Sequence, residues 1–185
     1  KEIILWTSSG ALKSQILGDN LVETEIGVPK INWNEIPLNQ NLDTKNLKIK
    51  IVNKNNIEHI GGTSVNVGNP HVIFFVDSIE DYDLKKIGPE IENHNYFPEK
   101  CNVTLAQVIN KKLIKVKVWE RGAGLTKACG TAACATAVAA NINELANKTT
   151  DIEFALGKLS ISIDKNNSIH MKGPVSDIKN IEINI

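Results

Sequence analysis

The stretch LTKACGTAACATAVAANIN, residues 125–143, decides how this chain folds. From Gly130 to about Asn143 it carries hardly any polar side chains, which predicts a helix that is apolar on all sides. A helix of this kind lies inside a domain rather than on its surface. Six of its residues are alanine, so neighbouring backbone can approach it closely. Its length of roughly 20 Å is about one domain deep.

Short segments with alternating apolar and polar residues occur on both sides of this helix, and they predict half-buried strands. They are residues 47–53, 102–109, 113–119, 158–164 and 168–173. Residues 71–76 are continuously apolar, which predicts a strand buried on both faces. A second helix is expected within 82–94, ended or kinked around Gly88-Pro89. Together these elements predict an α+β fold in which a curled β-sheet or barrel wraps a central buried helix.

Composition and charge argue against several classes of function. The chain has 185 residues with 21 basic and 21 acidic side chains, so no strong field attracts nucleic acid or an anionic membrane. Three cysteines without a Cys-x-x-Cys pair argue against a disulfide framework, a zinc ribbon or a redox motif. The sequence shows neither an apolar run of about 20 residues nor a signal pattern, which predicts a cytoplasmic protein without a membrane partner.

Cys129 stands at or just before the first turn of the buried helix. The N-terminal end of a helix presents unpaired N–H groups and a partial positive charge, which favour a thiolate and lower the pKa of such a cysteine. The N–H groups of Gly130 and Thr131 could hold a carboxylate or phosphate at the same place. The alternative interpretation is a small buried hydrophobe, which is our interpretation of Cys101 and Cys134.

Further polar residues stand at strand ends. Glu120 and Arg121 end one predicted strand, Asn102 begins another, and Asn69 and His71 lie at a turn that enters the buried strand. The planar guanidinium of Arg121 could clamp a carboxylate, and an asparagine amide can both donate and accept hydrogen bonds. Taken singly, each of these residues is also common as a turn former, a solvated strand end or a structural histidine.

Four segments, taken in order, resemble the diaminopimelate epimerase family. They are IGVPKINWNEIP (26–37), VGNPHVIFFVD (67–77), CNVTLAQV (101–108) and ERGAGLTKACGTAACATAVAA (120–140). The last is the most specific, because Glu-Arg-Gly is followed by Ala-Cys-Gly-Thr at the start of a helix. The resemblance extends along nearly the whole chain.

The resemblance implies an enzyme of two pseudo-symmetric domains, each a sheet curled round a central helix, with the substrate between them. Such an enzyme interconverts LL- and meso-2,6-diaminopimelate without pyridoxal phosphate, another cofactor or a metal. Two cysteines face the α-carbon from opposite sides, and one removes a proton as thiolate while the other delivers one as thiol. Cys129 would be the second of these two thiols.

The resemblance also implies roles for the polar residues around Cys129. Contacts to the amino and carboxyl groups of the substrate would come from Asn69, Asn102, Glu120 and Arg121. The reacting carboxylate would bind at Gly130 and Thr131. The protonation states of the cysteines would be set by His71 and Glu120.

One departure from the family pattern is large. The other catalytic cysteine belongs to a Cys-Gly-Asn-Gly-like segment that this sequence lacks, and the chain begins with Lys1 and has a single methionine. Residues 1–29 and 175–185 resemble remnants of the N-terminal domain, whereas 30–174 resemble the C-terminal domain. We therefore expect a chain that lacks its first part and is inactive alone.

Smaller departures bear on the substrate rather than on the family. Leu125 stands where the family usually has glutamate, and Ala132 where glycine is common. Thr104-Leu105 also differs from the usual aromatic-containing strand. A related cofactor-independent racemase acting on proline-like carbon acids is therefore an alternative. The resemblance is also compatible with a homodimer.

Two alternatives belong to other functional classes. The chain could be a non-catalytic binding domain that kept the fold, or a thiol hydrolase that uses Cys129 with His71. A binding domain has no need of a thiol with a tuned pKa, so titration of Cys129 separates it from an enzyme. A hydrolase needs a base near the sulfur, which sequence alone cannot place.

Overall fold

The computed structural model describes residues 1–7, 10–18, 20–176 and 182. Within these residues, thirteen strands and two α-helices are formed, with one 3₁₀ turn at Ile79–Asp81. The strands are β1 (Glu2–Thr7), β2 (Gly10–Gly18), β3 (Leu21–Gly27), β4 (Ile49–Val52), β5 (Glu58–Gly61), β6 (Thr63–Asn66), β7 (Pro70–Phe75), β8 (Asn102–Asn110), β9 (Leu113–Glu120), β10 (Gly124–Thr126), β11 (Thr149–Phe154), β12 (Gly157–Ile163) and β13 (Ile169–Pro174). The helices are α1 (Leu84–Glu92) and α2 (Gly130–Ile142).

Eleven of the described strands form one sheet in the order β1-β2-β3-β13-β12-β11-β9-β8-β7-β6, with β10 paired to β9. The strands β4 and β5 form a separate hairpin. The pairs β7–β8 and β9–β11 are parallel. A parallel pair needs a crossover connection, and the two helices lie in these connections, α1 between β7 and β8 and α2 between β9 and β11.

The long apolar helix predicted from the sequence is confirmed. α2 runs from Gly130 to Ile142, and every residue from Ala132 to Ala140 is buried. It contacts β6, β7, β8, β11, β12 and β13, so the sheet curls round it. The α+β class with a curled sheet wrapped round a central helix is confirmed, and the sheet is not closed into a barrel because its order ends at β1 and β6.

The predicted strands are also confirmed. On β9, Ile114, Val116 and Val118 are buried in the core round α2, whereas the alternate residues are half-buried, as the alternation requires. On β7, Ile73 faces α2 while Val72 and Phe74 pack in a second core beside α1. The continuously apolar strand is therefore covered on both sides, by one helix on each.

The second helix was predicted to end or kink at Gly88-Pro89. The predicted end is wrong, because α1 continues through Pro89 to Glu92. Proline lacks the backbone N–H that would bond to the carbonyl of Lys85, yet the helix continues past it. The last turn is closed by Asn93, whose backbone N–H and side-chain Nδ2 donate to the carbonyl of Pro89, at 3.3 and 2.8 Å.

Packing against Trp119 explains why a glycine stands at position 88, and the sequence alone did not predict this contact. A Cβ atom at this position would lie 2.4 Å from ring atoms of Trp119 on β9. We expect Gly88→Ala to lower the free energy of unfolding by about 2 kcal/mol, because the overpacking exceeds the gain in helix propensity. Urea unfolding followed by circular dichroism measures this loss.

Lys86→Ala, at an exposed position of the same helix, is the control for helix propensity. In a Trp119→Leu background the cost of Gly88→Ala should largely disappear, because the ring that occupies the space is gone. A Gly88→Ala variant as stable as the starting protein would contradict the packing account.

The strands β1–β3 extend the sheet beyond β13 and leave an apolar face uncovered in the described structure. Cross-strand pairing places Leu5 opposite Leu12 and Ile16 opposite Val22. Leu5 and Ile16 are 46% and 40% exposed. Of the predicted tail 175–185, residues 177–181 and 183–185 lie outside the described residues. Among the helices that the structure describes, none is long and apolar enough to cross a membrane.

Candidate active site at the mouth of the central helix

Cys129 occupies the N-cap position of α2. Its backbone is extended, with φ −151° and ψ 115°, and the helix begins at Gly130. Its Sγ atom lies 3.4 Å from Oγ1 of Thr131, and the N–H of Ala132 approaches the sulfur without completing a capping hydrogen bond. The residue is 9% exposed. The predicted position of this thiol at the positive end of a buried helix is confirmed.

The predicted fall in the pKa of Cys129 is wrong for this structure. Burial raises the pKa, because a thiolate loses more hydration than a thiol, and the hydroxyl of Thr131 and the nearby backbone N–H of Ala132 offset only part of that rise. The carboxylate of Glu120 contributes in the same direction as burial, through its charge and a side-chain hydrogen bond. The group at the helix mouth is therefore a thiol at neutral pH.

Three of the predicted site residues lie in one cross-strand row. His71 on β7 pairs with Asn102 on β8, and the pairing of Val103 with Trp119 brings Asn102 alongside Glu120 on β9. Neighbouring strands are about 4.8 Å apart, so the row spans roughly 10 Å. It shares the face of β9 that carries Val118, which packs against α2. The row therefore faces the same helix that carries Cys129.

His71 is fully buried and neutral. Burial lowers its pKa to about 3, and the positive charge of Arg121 adds to this shift. Its Nε2 lies 2.9 Å from Oδ1 of Asn69, which can only accept, so Nε2 carries the proton. Its Nδ1 has no hydrogen-bond partner in the part of the chain that the structure describes. His71 thus holds Asn69 in place.

Asn102 and Arg121 connect the two strand ends. Asn102 is 3% exposed, and its Nδ2 donates to the carbonyl of Pro70 at 3.0 Å. Its Oδ1 accepts from the backbone N–H of Arg121 at 3.0 Å. The Arg121 side chain is exposed and donates through Nη1 to the carbonyl of Glu99 at 2.8 Å. Asn102 therefore fixes the turn that carries Arg121.

Two pockets open at the helix mouth. One, of about 260 Å³, is lined by Cys129 and Gly130 together with apolar side chains, among them Phe154, Leu156 and Leu159. The other, of about 450 Å³, brings together Asn69 and Thr131, which are 62 positions apart in sequence. His71 and Asn102 lie beneath this surface rather than lining either pocket. The helix mouth can thus receive a small molecule from two sides.

The sequence alone did not predict that Met171 packs against the first residue of α2. A Cβ atom at Gly130 would lie 3.1 Å from Sδ of Met171 on β13, so a side chain here would be tightly packed against Met171 where that strand passes the helix end. Only the sheet order, in which β13 follows β12, places Met171 there. No local sequence signal could have found this contact.

Leu125 and Ala132, two of the positions where we expect a departure from the family pattern, lie in different surroundings. Leu125 is 45% exposed on β10, paired with Trp119. Ala132 is fully buried in the core round α2. The methyl group of Ala132 therefore fills interior space and does not line the pockets at the helix mouth.

The three thiols should differ sharply in reactivity. Burial raises the pKa of Cys134 to about 12 and raises that of Cys101 further, whereas Cys129 opens to a pocket. We expect iodoacetamide at pH 8 to alkylate Cys129 at least about tenfold faster than the other two, because the thiolate is the nucleophile. Peptide mass spectrometry of the folded protein measures the three rates.

Cys129→Ser is the control, and this variant should remain unlabelled until it is denatured. Labelling of Cys101 or Cys134 as fast as Cys129 in the folded protein would contradict the burial pattern.

The chain is similar to known proteins along its whole length. The family model described as diaminopimelate epimerase matches residues 63–178. The chain is 76% identical over its 185 residues to the diaminopimelate epimerase of Pelagibacter ubique and covers 68% of that protein. It is 38% identical over 179 residues to the diaminopimelate epimerase of Elusimicrobium minutum, covering 65% of it. The chain thus spans about two thirds of the length of these relatives.

Solved structures at low sequence identity share the fold. A PhzF-family phenazine biosynthesis protein from Bacillus anthracis, 14% identical, aligns over the whole chain and 69% of its own length with a TM-score of 0.63. A probable proline racemase from Agrobacterium radiobacter, 10% identical, aligns over 94% of this chain and 57% of its own with a TM-score of 0.60. The family model matches residues 63–178, and all 185 residues align with the Pelagibacter ubique enzyme at 76% identity. This chain therefore belongs to the diaminopimelate epimerase family.

Proposed function

We propose that this chain carries one of the two proton-transfer thiols of an enzyme that interconverts LL- and meso-2,6-diaminopimelate. The observation that supports the proposal most directly is the position of Cys129 at the N-terminus of the buried helix α2, with a pocket at its sulfur. Membership of the family supplies the substrate and the reaction class.

Inversion at the α-carbon needs an acid and a base on opposite faces, since a single group tends to return the proton to the face it left. The raised pKa of Cys129 keeps it protonated, which suits the donor role in one direction. First, the thiolate on the other face removes the α-proton and becomes a thiol. The thiol of Cys129 then gives its proton to the carbanion from the opposite face. In the reverse direction the thiolate of Cys129 removes the proton.

The carbanion needs stabilisation because an α-proton is very weakly acidic. In this proposal the N–H groups of Gly130 and Thr131 hold the reacting carboxylate at the helix mouth. Donors of this kind contribute about 3 to 4 kcal/mol each in comparable oxyanion sites. Because they belong to the first turn of a rigid buried helix, they are oriented before the substrate arrives.

The remaining polar residues orient the substrate or tune the thiols. Glu120 lies beside Cys129, so it can bind the substrate amino group and adjust the protonation of the sulfur. Neutral His71 holds Asn69 at the second pocket, and Asn102 holds the turn with Arg121. Arg121 and Asn69 would serve the second amino-carboxyl end of diaminopimelate, and Asn102, whose amide is hydrogen-bonded to Pro70 and Arg121, would orient Arg121 for that contact. The proposed reaction uses no pyridoxal phosphate, other cofactor or metal.

We also propose that the chain is divided between two domains. Residues 1–29 and 175–185 would belong to an N-terminal domain and 30–174 to a C-terminal one. The uncovered apolar face of β1–β3 supports this division, because an exposed sheet face of this composition needs a covering layer. The second thiol would come from a segment outside these 185 residues, and the chain would work in the cytoplasm.

The test compares this chain alone with a chimera that adds the portion of the Pelagibacter ubique relative which the chain does not match. With LL-2,6-diaminopimelate in D₂O, the chimera should invert the α-carbon and incorporate deuterium, while the chain alone should do neither. Inversion by the chain alone would refute the need for a second thiol from elsewhere.

A second candidate is a racemase of proline-like carbon acids, which the fold shared with a probable proline racemase supports. The same chimera distinguishes the two, because a proline-type enzyme would exchange the α-proton of proline and leave diaminopimelate unchanged. Size-exclusion chromatography with light scattering tests the predicted homodimer separately from the activity.

A further inference from the structure

A buried carboxylate lies outside the proposed site, on the other face of the sheet. Glu92 is the last residue of α1, and it is 6% exposed. The C-terminal end of a helix carries a partial negative charge, which disfavours a carboxylate there. Burial adds a desolvation cost. Such a position requires compensating contacts, and these contacts indicate what the residue does.

Both carboxylate oxygens of Glu92 accept hydrogen bonds from the turn after β9. Oε2 accepts from Nε1 of Trp119 at 2.7 Å, and Oε1 accepts from the backbone N–H of Gly122 at 3.1 Å. Lys100 is a more distant partner, with its Nζ 3.9 Å from Oε1. Trp119 and Gly122 directly flank Glu120 and Arg121. Glu92 therefore holds the two-residue segment from both ends.

Packing reinforces this hold on one side. The ring of Trp119 lies against Gly88, one turn earlier on α1, where no Cβ atom fits. The helix thus fixes Trp119 by contact with its ring and by a hydrogen bond to its indole N–H. Trp119 points towards α1, so its neighbour Glu120 points to the opposite face of the strand, towards α2 and Cys129.

We propose that Glu92 is a positioning residue that holds Glu120 against Cys129 and thereby sets the reactivity of that thiol. It acts through the sheet, from a helix that contributes nothing to either pocket at the helix mouth. The inference takes Cys129 as the reacting thiol of the proposed function, and it depends on the contacts of Glu92 with Trp119 and Gly122 and on the position of Glu120 beside Cys129.

The test measures the alkylation rate of Cys129 by iodoacetamide, as a function of pH, in the 185-residue chain and its variants. Glu120→Gln removes a negative charge beside the sulfur, so we expect alkylation at pH 8 to be roughly threefold faster. Glu92→Gln should give an increase in the same direction, because it releases Glu120. In the double variant the rate should equal that of Glu120→Gln alone, since Glu92 acts through Glu120.

Two further variants separate positioning from general destabilisation. Trp119→Phe keeps an aromatic ring at this position but removes the indole N–H together with part of the ring volume, so it should shift the alkylation rate in the direction of Glu92→Gln. Ile51→Val is in the second core, remote from the turn, and should lower the melting temperature without changing the rate. If Glu92→Gln is too unstable to measure, Trp119→Phe decides the question.

Three results would overturn the proposal: an unchanged rate in Glu92→Gln or Trp119→Phe, an unchanged rate in Glu120→Gln, or multiplied effects in the double variant. The assay needs no substrate and no second thiol. A failure of the chimera to epimerise diaminopimelate would therefore leave this result standing, and the two failures can be told apart.

Discussion

Cys129→Ala in the chimera should lower the rate of epimerisation by about 10²- to 10⁴-fold, the usual contribution of a positioned acid or base. The variant removes the only proton carrier that we assign to one face of the α-carbon. The Michaelis constant should change little, because the carboxylate is held by backbone N–H groups and not by the sulfur. Chiral chromatography of the diaminopimelate isomers measures the rate.

Cys134→Ala is the matched control, since Cys134 lies five residues further along the same helix. Its thiol is fully buried and its pKa is raised to about 12, so we expect near-normal turnover in this variant. Turnover by Cys129→Ala within tenfold of the starting chimera would remove Cys129 from the reaction.

Acid should destabilise the fold through His71, and this is the largest effect on stability that we expect. The pKa of His71 is lowered from 6.5 to about 3 by burial and by Arg121. Between these values the unfolded state binds a proton that the folded state does not. Stability is therefore complete above pH 6.5 and is lost as pH falls towards 3. The loss is about 1.4 kcal/mol per pH unit and roughly 4 to 5 kcal/mol in all.

The measurement compares urea unfolding of the chain and of His71→Asn between pH 7.5 and 5. His59 and His94 also have pKa values lowered by burial, and their contribution is common to both proteins and cancels in the difference. Independently, the ring protons of His71 should show no titration in NMR spectra above about pH 4. A His71 that titrates near pH 6.5 in the folded protein would contradict its burial.

The sequence was informative where a local period defines the environment. The alanine-rich run has no polar face, so it had to be interior, and α2 is found over Gly130–Ile142. Alternation on residues 113–119 likewise assigned Ile114, Val116 and Val118 to one buried face. These predictions needed only the periods of helix and strand.

Pairing between distant strands could not be predicted in this way. The row of His71, Asn102 and Glu120 depends on register across β7, β8 and β9, and register is set by packing. The contact of Met171 with Gly130 depends on β13 lying beside β12. Both features join residues far apart in the chain.

Two predictions failed because one local effect was taken alone. The helix end was expected to lower the pKa of Cys129, but burial and the nearby Glu120 outweigh it. Pro89 was expected to end or kink α1, but the helix does not end there: it continues to Glu92, and Asn93 closes its last turn.

Substrate protection of Cys129 tests most directly whether its sulfur meets diaminopimelate at the helix mouth. The chimera is treated with iodoacetamide with and without saturating LL-2,6-diaminopimelate, and each cysteine peptide is quantified by mass spectrometry. We predict that diaminopimelate slows labelling of Cys129 at least about tenfold, because a ligand at about ten times its dissociation constant leaves roughly one site in ten free. Labelling of Cys129 at the same rate with bound diaminopimelate, in a chimera that epimerises it, would contradict the account.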